Sequence, residues 1–292
     1  MTTIKENRSF PAMWLAAPAV GWTLVFAIAP VVMLLVYGFL TSGFFKVQFP
    51  LTLANYERVL ANKLTWKLLA NAAIVGFVTS IVSLCIGLVV ALWLRYTDSR
   101  LKGLVIFLVT LSMFASYLVR IYAWRTILGE KGLLNSVLIQ NGLIDQPITA
   151  FLFNKVSIII AMVHISLPYV ILVLLASLRP LERHYIEAAA DLGANGPARI
   201  VRVVLPLMAV PMSSVFLFVF ILASSDFVTP QFLGGPGDSM VGVLVANNFI
   251  SIGNWGAGAA LSGLLLVGYG LCYGIIAAGL KLTGRAEVKW GS

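Results

Sequence analysis

The sequence predicts an all-α integral membrane protein with six transmembrane helices, and three observations support this prediction. Of the 292 residues, 60% are hydrophobic and only 11% are charged, whereas soluble domains carry about 25% charged residues. Long apolar runs alternate with short segments that hold most of the charges. The 20 Lys and Arg residues are also distributed unevenly between alternate connecting segments. Lipid is therefore the expected solvent of a single membrane domain.

The first three spans are predicted from runs that exceed the roughly 20 apolar residues needed to cross the hydrocarbon core. Residues 14–40 and 68–94 are free of charge. The first run is too long for a secretory signal and lacks the small-residue cleavage site that ends one. Residues 103–128 predict the third span, although Arg120 and Arg125 lie in its second half.

The other three spans are predicted from residues 156–178, 203–225 and 256–280. The last run extends back to Ser239, which is too long for one span. We assign 239–255 to an extramembrane or interfacial segment because it contains several asparagines. The membrane domain therefore covers 14–280, with predicted tails over 1–13 and 281–292.

The basic residues orient these spans. Twelve of the 20 Lys and Arg residues fall in the tails and in the two loops on their side. Eight fall on the opposite side in longer segments, including Arg120 and Arg125 in the outer part of the third span. The positive-inside rule then places both termini and the loop 179–202 in the cytoplasm. On this reading the net charge of +9 is a topology signal, and we expect no nucleic-acid partner.

The loop 179–202 is longer than a connection between two spans requires. Its apolar residues recur at helical spacing and predict an amphipathic helix over 182–192. Glu187 and Asp191 lie on one face, and Gly193 follows as a C-terminal stop. Helices that lie on lipid headgroups favour Lys, Arg and large apolar anchors, whereas this helix presents acids and alanines. We therefore expect it to contact another protein.

This loop resembles the EAA loop of ABC importer permeases. Seven residues occur in the family's register: Glu187, Ala188, Ala189, Gly193, Val203, Leu205 and Pro206. Val203 departs mildly from the family, which usually has Ile there. The resemblance implies a type I ABC importer permease fold whose loop docks on an ATPase subunit, with Glu187 binding the ATPase and Gly193 permitting the turn. Asp191 shares the acidic face.

The same resemblance implies the partners. They are a homologous second permease subunit, two ATPase subunits, and a periplasmic or lipoprotein substrate-binding protein, assembled in the bacterial inner membrane. The chain contains no G-x-x-x-x-G-K-[ST] phosphate loop. We therefore expect ATP and Mg²⁺ to be used by the partner ATPase, and no cofactor or catalytic residue in this chain.

Other segments resemble spermidine/putrescine-type permeases, the first of two paired membrane subunits. They are Arg120–Trp124, Gly132–Asn135, Ile144–Pro147 and Asp226–Pro236. Gln231 departs from this group, which often has Glu after the proline, so a carboxylate that could meet a cationic substrate is missing. An importer of an opine, iron or an anion is the alternative, and a secondary transporter is a more distant one.

Five residues are candidates for the substrate path: Asp226, Tyr122, Trp124, Arg120 and Gln231. An acid at membrane depth is a functional candidate by default, but Asp226 could equally cap or pair locally. Arg120 and Arg125 either form a gate with the neighbouring aromatic residues or extend to the membrane interface.

The remaining polar residues carry weaker signals. His164 either relays protons or makes a packing hydrogen bond near Pro168, and the sequence does not settle its role. Four other polar residues either line a pathway or bond between helices: Asn71, Thr79, Ser213 and Ser214. Cys85 and Cys272 lie in separate apolar runs, so neither a disulfide nor a metal site is expected.

Overall fold

The computed structural model describes residues 12–148 and 151–284, so the predicted tails lie largely outside the described residues. The chain divides into two units. The smaller unit contains the chain up to Ala61 together with Asn247–Leu264, and the larger unit contains Asn62–Ala246 and the chain from Leu265 onward.

The described residues are mostly helical. In chain order the helices are α1 Ala12–Gly38, α2 Ala54–Ala61, α3 Lys63–Tyr96, α4 Leu101–Met113, α5 Tyr117–Leu128, α6 Leu133–Gln140, α7 Lys155–Ser177, α8 Arg183–Asp191, α9 Gly196–Arg199, α10 Leu205–Leu207, α11 Ala209–Ser224, α12 Val228–Leu233, α13 Val241–Asn247 and α14 Trp255–Leu282. Short π-helical segments, Ile200–Val204 and Asn248–Ile252, join α9 to α10 and extend α13.

Four of these helices, α1, α3, α7 and α14, are long and apolar enough to cross a membrane. The number rises to six if each of two bent pairs forms one span. Leu101–Met113 and Tyr117–Gln140 meet at 104°, and Gly196–Leu207 and Ala209–Ser224 meet at 77°. The structure therefore breaks the third and fifth runs, which the sequence predicted as continuous spans.

The smaller unit contains a β-hairpin that the sequence did not predict. Strands β1 (Leu40–Gly43) and β2 (Lys46–Leu51) pair antiparallel directly after α1. Asn55 on α2 donates hydrogen bonds from its amide to the carbonyls of Gly38 and Leu40, at 3.0 and 2.8 Å. This buried side chain therefore fixes the end of α1 against the start of the hairpin.

The core of the larger unit is formed by α3 packing against α7 and α11. Small residues allow these helices to approach closely, as is typical where lipid supplies no hydrophobic driving force between helices. A Cβ at Gly87 would overlap the Val170 side chain on α7, and a Cβ at Gly76 would lie 2.9 Å from Ser224 Cβ on α11. Ser83 and Ser166 add a hydrogen bond of 2.8 Å between α3 and α7.

The loop after α7 is attached to this core. Arg95 at the end of α3 donates from Nε to the carbonyl of Leu178 at 3.3 Å, and the Tyr96 hydroxyl donates to the carbonyl of Leu181 at 3.3 Å. Leu181, Val204 and Met208 are buried in one apolar cluster with residues of α3, α7 and α11. Both ends of the segment that carries α8 are therefore fixed to the helix bundle.

Candidate functional site

The amphipathic helix predicted over 182–192 is present as α8, Arg183–Asp191. Glu187 is exposed on it, with 62% of its side chain accessible, and pairs only with Arg183 at 3.1 Å among the ion pairs of the described residues. An exposed pair four residues apart contributes about 0.3–0.5 kcal/mol. The Glu187 carboxylate is therefore held weakly and accessible to a partner.

The C-terminus of α8 forms a Schellman turn around Gly193. The amide of Ala194 donates to the carbonyl of Ala189 at 2.9 Å, and the amide of Gly193 donates to the carbonyl of Ala190 at 2.8 Å. Gly193 has φ of +81°, a conformation that costs other residues roughly 1–2 kcal/mol. The predicted helix stop at Gly193 is confirmed.

The chain then returns to the helix bundle through α9, a π-helical segment and α10. The Asn195 side chain accepts a hydrogen bond of 3.0 Å from the amide of Ala198 and caps α9. Leu205 and Pro206 lie in α10, where the π-helical segment ends just before the 77° bend. The residues of the EAA-like register therefore form one continuous element, which we call the coupling segment, 179–208.

The coupling segment exposes apolar side chains. Leu192 is 90% accessible, Val201 is 60% accessible and Tyr185 is 45% accessible. Tyr185 and Leu192 lie in and directly after the helix that carries Glu187 and the exposed Ala188, and Val201 lies in the π-helical segment. This combination of apolar and acidic groups on an exposed helix is suited to binding a protein surface.

A second candidate region lies at membrane depth, where α5 and α12 pack on α7. The depth of this region in the membrane follows from its position along α7, because an α-helix rises 1.5 Å per residue. Arg120 donates from Nη1 to the carbonyl of Ile165 at 3.5 Å. Ile165 is ten residues beyond Lys155, which corresponds to about 15 Å, or half of the roughly 30 Å hydrocarbon core.

This depth bears on the two interpretations of Arg120. A side chain extending to the membrane interface would direct its guanidinium toward an end of α7, whereas Arg120 contacts the middle of that helix. Its Nε is buried and has no hydrogen-bond partner within residues 12–148 and 151–284. A charge in this position is expensive and typically marks a functional path. The geometry thus favours a role in the interior over interfacial anchoring.

Asp226 follows α11 and caps α12. Its carboxylate accepts hydrogen bonds from the amides of Val228 and Thr229, at 3.2 and 2.9 Å. The hydroxyl of Thr229 contacts Met162 Sδ at 3.4 Å, and Met162 is seven residues along α7, about 10 Å from its Lys155 end. Asp226 therefore makes the local cap that the sequence left open. Its capping partner Thr229 contacts α7 about 10 Å from the Lys155 end of that helix, toward its middle.

The other candidate path residues lie on the same elements. The Trp124 indole donates to Nδ1 of His164 at 3.2 Å. The rings of Tyr122 and Phe232 have centroids 5.1 Å apart, so α5 also contacts α12 next to the exposed Gln231. The structure thus brings four of the five candidates to one junction of α5, α7 and α12, with Gln231 at its edge.

Sequence reasoning missed Tyr117, which joins these elements. Its hydroxyl and that of Thr229 are hydrogen-bonded at 2.9 Å, and it also contacts Met162 Sδ on α7 at 3.6 Å. The sequence signal that could have indicated a helix start at Tyr117 is Ser116, a common N-cap residue, which lies inside an apolar run. We call Tyr117, Arg120, Trp124, His164, Asp226 and Thr229 the polar cluster.

Other polar residues make structural contacts. Asn71 donates to the carbonyls of Gly237 and Ser239 at 3.1 and 2.9 Å, and so fixes the loop after α12. Ser214 bonds within its own helix at 3.1 Å. Thr79 is buried, and its hydroxyl has no partner among the described residues. Asn71 therefore bonds to another segment of the chain, whereas the bond of Ser214 stays within α11 and does not join two helices.

Within the described ranges, no group of three or more His, Cys, Asp or Glu side chains could hold a metal ion. Cys85 and Cys272 are free thiols.

Known proteins resemble this chain over most of its length. Residues 83–282 match the family model described as "Binding-protein-dependent transport system inner membrane component". The spermidine/putrescine transport system permease protein PotB of Haemophilus influenzae is 34% identical over 245 residues, covering 83% of this chain and 84% of that protein. PotB of Escherichia coli strain K12 is 31% identical over 255 residues, covering 86% and 91%.

A solved structure shares the fold. One chain of a bacterial alginate ABC transporter, crystallised with an alginate pentasaccharide-bound periplasmic protein, superposes with a TM-score of 0.74 and covers 95% of this chain and 96% of that chain. Its sequence identity is 15%, so it bears on the fold alone, and the predicted ABC permease fold is confirmed. From the family match and the two PotB relatives together, this chain belongs to the binding-protein-dependent transport system inner membrane components, as a permease subunit of an ABC importer.

Proposed function

We propose that this permease carries a polyamine such as spermidine or putrescine across the inner membrane. The observation that carries the proposal is the Asp226 carboxylate, which accepts hydrogen bonds from two backbone amides. It does so inward of the Lys155 end of α7, toward the middle of that helix. No Lys or Arg occurs from Asp226 to Trp255, so this segment favours a cation. The PotB relatives, which are spermidine/putrescine permeases by name, support the same cargo class.

The proposed energy source is ATP bound by separate subunits. The coupling segment contacts an ATPase through Glu187, the exposed Ala188 and the apolar residues around Leu192. Both ends of this segment are fixed to the bundle through Arg95, Tyr96 and Met208. A displacement of α8 is therefore transmitted to α3, α7 and α11. Because ATP binds one state more tightly than the other, it shifts the equilibrium between them.

The proposed assembly contains this chain, a homologous second permease, two ATPase subunits and a periplasmic or lipoprotein substrate-binding protein. The family match supports it, because the family consists of inner membrane components of binding-protein-dependent transport systems. Hydrolysis occurs on the ATPase subunits, and this chain carries out no catalysis. The termini and the coupling segment face the cytoplasm, in accordance with the distribution of basic residues.

The test is uptake of labelled spermidine and putrescine by the whole importer reconstituted in liposomes with its binding protein. We expect ATP-dependent uptake that falls in Asp226→Asn, which removes the charge but retains an acceptor for the cap. The matched control is Asp238→Asn, because Asp238 pairs with Lys155 at 3.9 Å and lies outside the polar cluster. Uptake that is indifferent to Asp226→Asn, or absent for both polyamines, rejects the proposal.

An importer of an anion is the second candidate, and Arg120 is the observation that favours it. The Arg120 guanidinium at membrane depth has a buried Nε without a partner in the part of the chain that the structure describes. It therefore offers a donor to a carboxylate or phosphate. Competition experiments in the same liposomes separate the two candidates, since anionic solutes compete with the labelled cargo only if this second function holds.

A further inference from the structure

The β-hairpin of the smaller unit turns at two phenylalanines. Gly43 pairs with Lys46 across the hairpin, so Phe44 and Phe45 are its two loop residues. Two-residue hairpin loops favour Asn, Asp and Gly, because these loops need positive φ at one or both positions. Phe45 has φ of +51°, which is strained for a bulky residue. Such strain persists chiefly at functional segments, so the turn is a candidate for a role beyond connecting two strands.

Contacts on one side of the turn hold Phe45 in this conformation. Its amide donates a hydrogen bond of 2.7 Å to the carbonyl of Gly253. Its ring meets the Trp255 ring edge-on, with centroids 6.4 Å apart. A Cβ on Gly253 would lie 2.7 Å from the Phe45 ring, so the glycine allows this close approach. Phe45 therefore attaches the turn to the start of α14, and Phe44 beside it remains 77% accessible.

A series of ring contacts places the turn at the level of the end of α1. Tyr37, in the last turn of α1, stacks on Trp255 with centroids 6.5 Å apart. Trp255 meets Phe45, whose ring centroid is 4.7 Å from that of Phe44. The 27 residues of α1 form about 40 Å of helix, which exceeds the roughly 30 Å hydrocarbon core. The last turn of α1 thus reaches the headgroup layer, where Trp and Tyr are enriched, and Phe44 lies beside it.

The hairpin exposes further apolar side chains next to a positive charge. Phe49 and Leu51 on β2 are exposed. Lys46 is also exposed, and its aliphatic stem lies beside Gly43 on the opposite strand. The ion pairs of residues 12–148 and 151–284 do not include Lys46. Exposed apolar surface marks a protein or membrane contact, and aromatic residues next to Lys are typical of segments that lie in the membrane interface.

We propose that the hairpin tip, Phe44–Lys46, is a lipid-binding surface. Phe44 enters the boundary between headgroups and acyl chains, and the Lys46 ammonium meets a lipid phosphate. Continuity with α1 favours lipid over a protein partner, because α1 exposes apolar side chains along its length and the hairpin follows it directly. In the orientation proposed above, the lipid belongs to the outer leaflet.

This contact has a consequence for α1. Asn55 bonds to the carbonyls of Gly38 at the end of α1 and of Leu40 at the start of β1. The hairpin is therefore attached to the helix without a flexible linker. Interfacial anchors set the tilt and rotation of membrane helices, so a hairpin seated in the headgroup layer fixes the depth and tilt of α1.

The test is photo-crosslinking from position 44 in the whole importer with its binding protein, in nanodiscs of phosphatidylethanolamine and phosphatidylglycerol. Phe44→p-benzoylphenylalanine keeps an aromatic ring at an exposed position, and illumination is expected to add the mass of one phospholipid to this chain. Trp22, exposed in the middle of α1, is the lipid-facing control, and Leu192 on the coupling segment is the control outside the membrane. The lipid adduct at position 44 is expected within about threefold of that at position 22 and about tenfold or more above that at position 192, as insertion at the acyl boundary requires.

The competing occupants give different products. A crosslink from position 44 to the substrate-binding protein would make the hairpin a docking site for that subunit, and a crosslink to the second permease would place it in a subunit interface. Either product overturns the proposal. A lipid yield no higher than that at position 192 overturns it as well.

A spin label at position 44 measures depth without a crosslink. Cys85 and Cys272 are the native thiols, so Phe44→Cys, Trp22→Cys and Leu192→Cys are each labelled in a Cys85→Ala/Cys272→Ala background. Oxygen concentrates among acyl chains, whereas a nickel chelate stays in water. The oxygen-to-nickel collision ratio at position 44 is expected to exceed that at position 192, and equal ratios overturn the proposal. Both measurements are independent of the cargo, so they distinguish failure of this proposal from failure of polyamine transport.

Discussion

The indole nitrogen of Trp124 donates a hydrogen bond of 3.2 Å to Nδ1 of His164. With Nδ1 accepting, the proton of a neutral imidazole resides on Nε2. His164→Leu leaves the Trp124 N–H unpaired and is expected to destabilise the permease by about 1–3 kcal/mol. Thermal unfolding of the purified importer measures this loss.

His164→Asn is the matched variant, since its side-chain oxygen can accept from Trp124 in place of Nδ1. We expect it to unfold closer to wild type than His164→Leu and to retain the wild-type pH profile of uptake. A stable His164→Asn importer without uptake would instead assign His164 to proton transfer.

Gly193 is expected to be sensitive to substitution because of its backbone conformation. Gly193→Ala places a Cβ on a residue with φ of +81°, at a local cost of about 1–2 kcal/mol. We expect it to distort the turn after α8 and to lower cargo-stimulated ATP hydrolysis. Gly142 has φ of +66° with equally open surroundings, so Gly142→Ala introduces the same strain elsewhere. Equal effects of the two substitutions on ATP hydrolysis would argue against a coupling role.

Glu187 is expected to matter for assembly and not for folding. Its exposed pair with Arg183 contributes little to stability, so Glu187→Ala should leave thermal unfolding unchanged within about 0.5 kcal/mol. The amount of ATPase that co-purifies should fall. Glu182→Ala removes another exposed acid, 71% accessible, just before α8. If co-purification is as sensitive to Glu182→Ala as to Glu187→Ala, the specific assignment of Glu187 is wrong.

Gly87 is expected to limit the approach of α3 to α7. A Cβ there would overlap Val170, and overpacking of a core typically costs about 1–3 kcal/mol. Thermal unfolding should therefore shift downward in Gly87→Ala and recover in Gly87→Ala/Val170→Ala. Gly270→Ala, on α14 with no atom within 4 Å of the added methyl group, controls for helix propensity. A double variant less stable than both single variants would show that the contact does not set the spacing.

Apolar runs and a helix-ending glycine predicted much of this fold. The predicted limits of α7 differ by one residue at each end from Lys155–Ser177, because charged and capping residues bound the run. The prediction of α8 succeeded for similar reasons, since a short amphipathic pattern ended at a glycine. In both cases the decisive signals lie within a few residues of the element.

The breaks in the third and fifth spans could not be predicted in this way. Residues on both sides of Ser116 are apolar, and directly after the break Tyr117 bonds to Thr229, 112 residues away. The hairpin after α1 is similarly bonded to Asn55, whose partners are carbonyls 15 and 17 residues earlier. Apolar periodicity reports the neighbours of a residue along the chain and carries no information about such distant partners.

The polar cluster was predicted in part. Charge and aromatic character singled out Arg120, Trp124 and Asp226, because such groups are costly in lipid. Tyr117 escaped notice because its partner Thr229 lies 112 residues away along the chain. Its hydrogen bond between α5 and α12 is a property of the folded chain.

The 90% accessibility of Leu192 has a consequence for subunit supply. A copy of the permease without an ATPase presents this side chain, with Tyr185 and Val201, to water. Exposed apolar surface of this kind favours self-association. Balanced synthesis of permease and ATPase should therefore improve the yield of monodisperse protein, and surplus permease is expected to aggregate or be degraded.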